Sequence, residues 1–298
     1  MGGAVTGRGG TGGGTRGFAS MTPMPALLAQ LRDLDPLPPH ARLIDVRWKL
    51  GDPQAGRRLF AAGHIPGAVY VDLDTDLAAP PGAGGRHPLP SADHFAAAMS
   101  RAGVDASTWV IAYDDGGAGA ARLWWLLRHF GHTNASILDG GYAGWLATGS
   151  VPETGPGQVP PPADFHAQAR QDDTMDLDAV RDALAGGAIH LLDARAPERW
   201  RGDVEPVDRR PGRIPGALNA PAADNVHDGV FRPPEELHAR YAATGILDGK
   251  PIVVACGSGV SACVDLVALE LAGIGGAKLF PGSYSAWVAH DLPVESGA

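Results

Sequence analysis

Apolar positions along this chain come in short runs, each ending in Gly, Pro or Asp and followed by a stretch with helical spacing. Leu43-Ile44-Asp45-Val46-Arg47 reads as a buried strand that ends in charge. Gly63-His64-Ile65-Pro66-Gly67-Ala68 follows as a tight turn. Leu27 to Leu34 predicts a first short helix, and Phe95 to Ala102 predicts another. Trp109-Val110-Ile111-Ala112-Tyr113 predicts a strand, Asp114 to Gly119 a loop, and Ala120 to Phe130 an amphipathic helix. Ser136-Ile137-Leu138 is a short strand, and Gly140-Gly141-Tyr142-Ala143-Gly144-Trp145 opens a further helix.

The second half repeats this order. Leu191-Leu192-Asp193-Ala194-Arg195 matches the strand at Leu43, and Gly212-Arg213-Ile214-Pro215-Gly216-Ala217 matches the turn at Gly63. Ile252 to Ala255 matches Val110 to Tyr113, and Gly282-Ser283-Tyr284-Ser285-Ala286-Trp287 matches Gly140 to Trp145. The paired segments lie roughly 145 residues apart throughout, so the repeat unit is a whole domain rather than a solenoid turn. Strands alternating with helices in each copy predict an α/β fold with parallel sheets. The expected division is a first domain at 23–150, a linker rich in Pro, Gly and Gln at 151–171, and a second domain at 172–298.

Composition narrows the function. Hydrophobic content of 44% with 19% charged residues suits a globular protein, and no apolar run is long enough to span a bilayer. A net charge of -9 argues against nucleic acid as a partner, because phosphate neutralisation needs clustered Lys and Arg. Two cysteines are too few for a secreted disulfide framework, which points to a reducing compartment, the cytoplasm. Their spacing suits neither CxxC redox chemistry nor zinc. The segment 1–22 is rich in Gly, Thr and Arg with almost no apolar content, so it is expected to be disordered. It has no hydrophobic signal-peptide stretch; its composition also fits a transit peptide, and an upstream-misassigned start with Met21 as the true beginning is the preferred reading.

The chemistry centres on Cys256-Gly257-Ser258-Gly259-Val260-Ser261-Ala262, placed between the strand Pro251 to Ala255 and an apolar helix from Cys263 to Leu271. Backbone N–H groups in such a turn point inward, and the helix dipole adds partial positive charge. That setting favours thiolate, the nucleophilic form. Cys-dependent phosphatases place an Arg six residues after the Cys; Ala262 stands there, which argues against phosphate chemistry. A sulfur carrier needs the opposite design, with a thiolate attacking a sulfur atom and N–H groups holding the persulfide, in ping-pong form. In the first copy Asp114 stands where Cys256 does, and a carboxylate cannot accept sulfane sulfur. Cys263 lies on the apolar face of its helix and is expected to serve packing.

Together these residues resemble the two-domain rhodanese family, and within it the 3-mercaptopyruvate sulfurtransferases. The carriers are the LIDVR and LLDAR strands, the GHIPGA and GRIPGA turns, the GSYSAW segment and the CGSGVSA loop, over nearly everything after Met21. The usual mercaptopyruvate-type loop reads CGSGVTA, and Ser261 in place of Thr keeps the hydroxyl. The resemblance implies tandem rhodanese-like domains, each a parallel sheet flanked by helices, with the first domain non-catalytic and forming one wall of the cleft. It implies a persulfide on Cys256 cradled by Gly257, Gly259, Val260 and Ser261. It places a donor-binding guanidinium at Arg199, in Glu198-Arg199-Trp200. The second family Arg follows a Glu-Pro pair; here Glu205-Pro206 leads to Val207-Asp208-Arg209-Arg210, which shifts the spacing, so Arg210 is expected and Arg209 is the alternative. A proton relay is implied at Ser258, His87 (in Arg86-His87-Pro88-Leu89-Pro90) and Asp74, with His64 as the competing histidine, more suited to pinning its turn.

The leading expectation is transfer of sulfane sulfur from 3-mercaptopyruvate to a thiol or cyanide, releasing pyruvate, with no cofactor or metal. The acceptor expected is a thioredoxin-like protein or a low-molecular-weight thiol. Thiosulfate sulfurtransferase and a non-catalytic sulfur-carrier module are the alternatives.

Overall fold

Two sets of apolar runs give two parallel sheets. The computed structural model describes residues 1–4, 26–116 and 118–297, so beyond its first four residues the segment expected to be disordered at 1–22 lies outside the described residues. The first sheet contains β1 (Leu28–Ala29), β2 (Ala41–Asp45), β3 (Val69–Tyr70), β4 (Trp109–Tyr113) and β5 (Ala135–Leu138). Its order is β1-β5-β4-β2-β3, and every pairing is parallel. The second half adds β6 (His190–Asp193), β7 (Leu218–Asn219), a small antiparallel hairpin of β8 (Val226–His227) and β9 (Val230–Phe231), then β10 (Ile252–Ala255) and β11 (Lys278–Leu279). Here the sheet order is β11-β10-β6-β7, again parallel. Parallel neighbours need crossover connections, and helices supply most of them. In the first half these are α1 (Ala55–Ala62), α2 (Leu73–Asp76), α3 (Ala92–Arg101), α4 (Ala118–His129) and α5 (Gly141–Ala147). The second half has α6 (Leu177–Ala185), α7 (Pro197–Arg201), α8 (Pro234–Ala243), α9 (Ala262–Leu271) and α10 (Ser283–Ala289).

One expectation fails locally. The helix read at Leu27 to Leu34 is instead the edge strand β1 followed by a single 3-10 turn at Leu31–Leu34. The open edge of β5 takes the segment as a strand, with Ile137 N–H donating to Leu27 O and Asp139 N–H to Ala29 O. The Asp33 carboxylate then accepts the Gln30 N–H at 2.7 Å and starts the turn.

The duplication extends to side chains. At the end of β2, buried Arg47 grips Asp45 at 2.6 Å and lies 4.0 Å over the Tyr142 ring. After β6, Arg195 grips Asp193 at 2.7 Å and lies 3.9 Å over Tyr284. Each buried guanidinium also donates to a carbonyl of its tight turn, Gly63 or Gly212. These pairs fix the strand ends from which the loops depart, and burial is tolerable because every charge is paired.

Residues 151–171 carry no helix or strand, yet they are fastened to the first half. Ala163 N–H donates to Ser100 O, Gln168 N–H to Phe130 O, and Phe165 packs edge-on against Phe95 at 5.7 Å. The halves share a single core. Helices α4 and α9, which follow the two equivalent loops, pack together, and their buried residues, including Leu123, Leu127, Val267 and Leu269, belong to one continuous cluster. Separate clusters cover the outer faces, around Phe60, Ile65 and Tyr113 in one half and Val253, Phe280 and Trp287 in the other. A fragment of residues 172–298 should therefore bare the α9 face and lose cooperative unfolding. A thermal melt checks this: a broad or aggregating transition is expected, and a sharp one at the full chain's temperature would contradict the shared core.

Candidate active site

Strand β10 delivers Cys256 to the seam between the halves, at its carboxyl end, where ligands of parallel sheets gather. The sulfur accepts backbone N–H groups from Gly259 at 3.1 Å and Ser258 at 3.4 Å. Cys256 is only 2% exposed, so the sulfur is shielded from bulk solvent. Gly259 has φ +78, and a Cβ there would stand 2.6 Å from Pro281 O, so glycine is required for the loop to close over the sulfur. Val260 is buried among the residues of the shared core. Ser261 stands at the start of α9 without a side-chain capping bond.

The GSYSAW segment holds the loop from behind. Ser283 has the left-handed φ of 51; its hydroxyl accepts the Cys256 N–H at 3.1 Å and donates to Phe280 O at 2.9 Å. Tyr284 N–H and Ser285 N–H donate to the carbonyls of Cys256 and Gly257. Ser285 Oγ accepts the Arg86 N–H at 3.0 Å, tying the loop to a strap of the first half. Cys263 has 0% exposure, and its Sγ lies 3.4 Å from Gly259 O. Burial pushes its thiol up to about 12, which makes it inert beside Cys256.

That strap brings in the relay residues. His87 Nδ1 stands 2.7 Å from Ser258 Oγ, and Nε2 stands 3.1 Å from the Asp74 carboxylate. A carboxylate only accepts, so Nε2 carries the hydrogen and Nδ1 accepts from the Ser258 hydroxyl. Trp48 packs edge-on against the imidazole at 5.4 Å. Burial drives the His87 pKa down to about 4, helped by Arg122 and Arg86 and opposed by Asp74. The ring is therefore neutral at pH 7, with Nδ1 available as a hydrogen-bond acceptor. His64 lies elsewhere: it stacks on Phe60 at 3.8 Å and contacts Phe60 O through Nδ1, pinning its turn.

Behind the loop lies Arg122, a residue the sequence reading passed over. It is fully buried, and its guanidinium donates to the carbonyls of Gly259, Leu77 and His87 at 3.2–3.3 Å. Among the described residues no carboxylate pairs with it. Burial lowers its pKa, and the nearby sulfurs of Cys263 and Cys256 act in the opposite direction.

Of the arginines expected to bind the donor, the structure places Arg199 beside the loop and turns Arg210 and Arg209 away from it. Arg199 lies beside the loop, its Nη atoms 3.7 Å from the position a Gly257 Cβ would take. Arg210 instead donates to Leu292 O at 3.1 Å, and Arg209 bonds Val288 O and Asp291. Both are drawn to the carbonyl-rich C-terminal segment. The guanidinium that joins Arg199 is Arg86, with Nη2 2.9 Å from the same Gly257 Cβ position. Asp208, one residue before the two arginines, bridges Arg86 at 2.7 Å and Arg199 at 3.1 Å. Glu205 holds Arg199 from the other side at 2.7 Å.

The equivalent loop of the first half fills its own cradle. Asp114 Oδ1 accepts the Gly116 N–H and Oδ2 the Ala120 N–H, both at 2.8 Å. A carboxylate thus sits where the second half offers space to a sulfur.

Two sheets of this topology, a cysteine in an N–H cradle and a Ser258–His87 contact across the seam define a duplicated α/β protein with one cysteine loop. The chain belongs to the rhodanese family: the Rhodanese-like domain matches residues 25–148 and again 176–290. It is 42% identical over 268 residues to a Pseudomonas aeruginosa protein named for 3-mercaptopyruvate sulfurtransferase activity, covering 87% of this chain and 93% of that one. It is 44% identical over 256 residues to the Mycobacterium tuberculosis protein SseB, named for thiosulfate sulfurtransferase activity, covering 82% and 87%. The crystal structure of SseA, the 3-mercaptopyruvate enzyme of Escherichia coli, superposes with a TM-score of 0.76 at 33% identity, covering 87% of this chain and 99% of SseA.

The low His87 pKa makes a prediction with a definite sign. The neutral ring is favoured in the fold, so its contribution to stability is full above the unfolded value near 6.5 and is lost as pH falls from there toward about 4. NMR titration of the His87 ring should show a midpoint far below 6.5. A midpoint between 6 and 7 would mean that the ring is solvated rather than enclosed.

Proposed function

We propose that this chain is a 3-mercaptopyruvate sulfurtransferase that carries sulfur as a Cys256 persulfide. The observation that supports it most is the contact between Ser258 and His87 at 2.7 Å, backed by Asp74. Transfer from a mercapto-ketoacid requires a proton to move, and transfer from thiosulfate does not. The Cys256 thiolate attacks the donor sulfur; the S–S bond forms and the C–S bond breaks, leaving its electron pair on the enolate of pyruvate. The thiol hydrogen of the donor passes through Ser258 and His87 to the enolate carbon. The products are Cys256 persulfide and pyruvate, and the balance needs no external oxidant or reductant. A thiol acceptor, a thioredoxin-like protein or a small thiol, then takes the outer sulfur. Two unpaired cysteines fit a reducing compartment such as the cytoplasm, and no helix among the described residues is long and apolar enough to cross a membrane.

The charge around the cleft supports the same donor. Thiosulfate-type members of the family carry Arg and Lys directly after the cysteine, and here Gly257 and Ser258 are neutral. Arg86 and Arg199 are balanced by Glu205 and Asp208, so this cluster is formally neutral and suits a monoanion better than a dianion. Two missing charge-assisted contacts, at about 1.5–3 kcal/mol each, predict a preference for 3-mercaptopyruvate of at least about a hundredfold in kcat/KM. The name of the mycobacterial relative favours thiosulfate instead. Steady-state assays with both donors decide between them, and a ratio near one, or in favour of thiosulfate, would reject the proposal.

A further inference from the structure

We propose that Arg86, from the first half of the chain, is the second donor-carboxylate ligand, acting with Arg199 across the domain seam. This rests on the 3-mercaptopyruvate reading above. Arg86 and His87 are adjacent on the strap that Ser285 fastens to the cysteine loop, and they reach adjacent loop residues, Gly257 and Ser258. One strap thus sets both the proton relay and the anion contact.

The bonding of the two guanidiniums shows which nitrogens remain for a ligand. Arg86 spends Nη1 on Asp208 at 2.7 Å. Arg199 spends Nε and Nη2 on Glu205, and Nη2 also on Asp208. Arg86 Nη2 and Arg199 Nη1 make no hydrogen bond among the described residues, and both stand beside Gly257, within 2.9 and 3.7 Å of its Cβ position. The side-chain exposures have a direction: Asp208 and Glu205 are 3% and 2% exposed, whereas Arg86 and Arg199 are 22% and 19%. The carboxylates lie at the bottom and the guanidiniums at the mouth. The cluster is neutral in total but presents its positive side to the cleft, with one unused N–H-bearing nitrogen from each half. A planar carboxylate one residue from Cys256 can accept from both. Asp208 is a positioning residue, because it holds the two guanidiniums in register through one bridging carboxylate.

The test compares two donors in the full-length protein. 3-Mercaptopyruvate carries the carboxylate, and mercaptoacetone has a methyl group in its place. Arg86→Gln should lower kcat/KM for 3-mercaptopyruvate about ten- to a hundredfold, chiefly through KM, and change mercaptoacetone by no more than about twofold. Arg86→Lys, which keeps the charge but not the fork, should fall between Arg86→Gln and the parent. Pyruvate inhibition gives a second readout: its inhibition constant should rise about tenfold or more in Arg86→Gln. Equal loss with both donors would assign Arg86 a merely structural role and overturn the inference. Unchanged 3-mercaptopyruvate and pyruvate constants would overturn it too, while leaving the donor reading standing. A parent enzyme that does not turn over 3-mercaptopyruvate would reject the donor reading and this inference together.

Discussion

A buried cation with no carboxylate beside it is the constraint on which this site depends. Arg122 lies on α4, in the half that carries Asp114 in place of the cysteine; its Nη1 and Nη2 donate to three backbone carbonyls, while Nε is buried without a partner. Two of them, Leu77 O and His87 O, belong to the stretch that carries the relay histidine; the third, Gly259 O, belongs to the cysteine loop. A charge removed from water is costly, and with Nε left unpaired the three carbonyl contacts are the ones that offset it, so losing any of them adds to that cost. A single side chain thus fixes the distance between His87 and Ser258. It also places a guanidinium behind the loop that carries Cys256. Of the two nearby sulfurs, burial pushes that of Cys263 toward the protonated form.

The duplication explains how one half came to serve the other. Both halves end one central strand, β2 or β6, with an Asp–Arg pair stacked on a tyrosine, and both carry a loop of inward N–H groups after the neighbouring strand, β4 or β10. In the first half Asp114 occupies those donors permanently, so the loop is a closed structural element. In the second half a cysteine occupies the same place and its sulfur can be extended by one atom. Because α4 and α9 pack against each other in a common core, the first half's strap reaches the second half's loop, which brings Arg86, His87 and Asp74 to Cys256.

Much of this was legible in the residues, and the reasons differ by element. Strand β10 and the loop after it were readable because an uninterrupted apolar run ending in Cys-Gly-Ser-Gly admits few backbone paths. The placements of His87, Asp74 and Arg199 followed from short motifs at fixed positions in each copy, and the structure places all three at the cleft. Arg210 was misplaced because Asp208, Arg209 and Arg210 are consecutive charges on a turn. Which of them faces the loop depends on the carbonyls of Val288 and Leu292, nearly eighty residues away. Arg86 was quoted only as the neighbour of His87, and its direction is set by an ion pair to Asp208 across the seam. Arg122 looks like one more cation on an amphipathic helix until α9 is packed over it. Leu27 to Leu34 had helical spacing, but an unpaired strand edge outweighed that local preference.

The central claim is that a single sulfur resides on Cys256 between two half-reactions. Mixing the full-length protein with 3-mercaptopyruvate, with no acceptor present, isolates the first half-reaction. The account predicts a burst of one pyruvate per chain and a mass gain of about 32 Da confined to the peptide bearing Cys256. Cys256→Ser should abolish both, and Cys263→Ser should preserve both. A burst that survives Cys256→Ser, or added sulfur found on Cys263, would contradict the account.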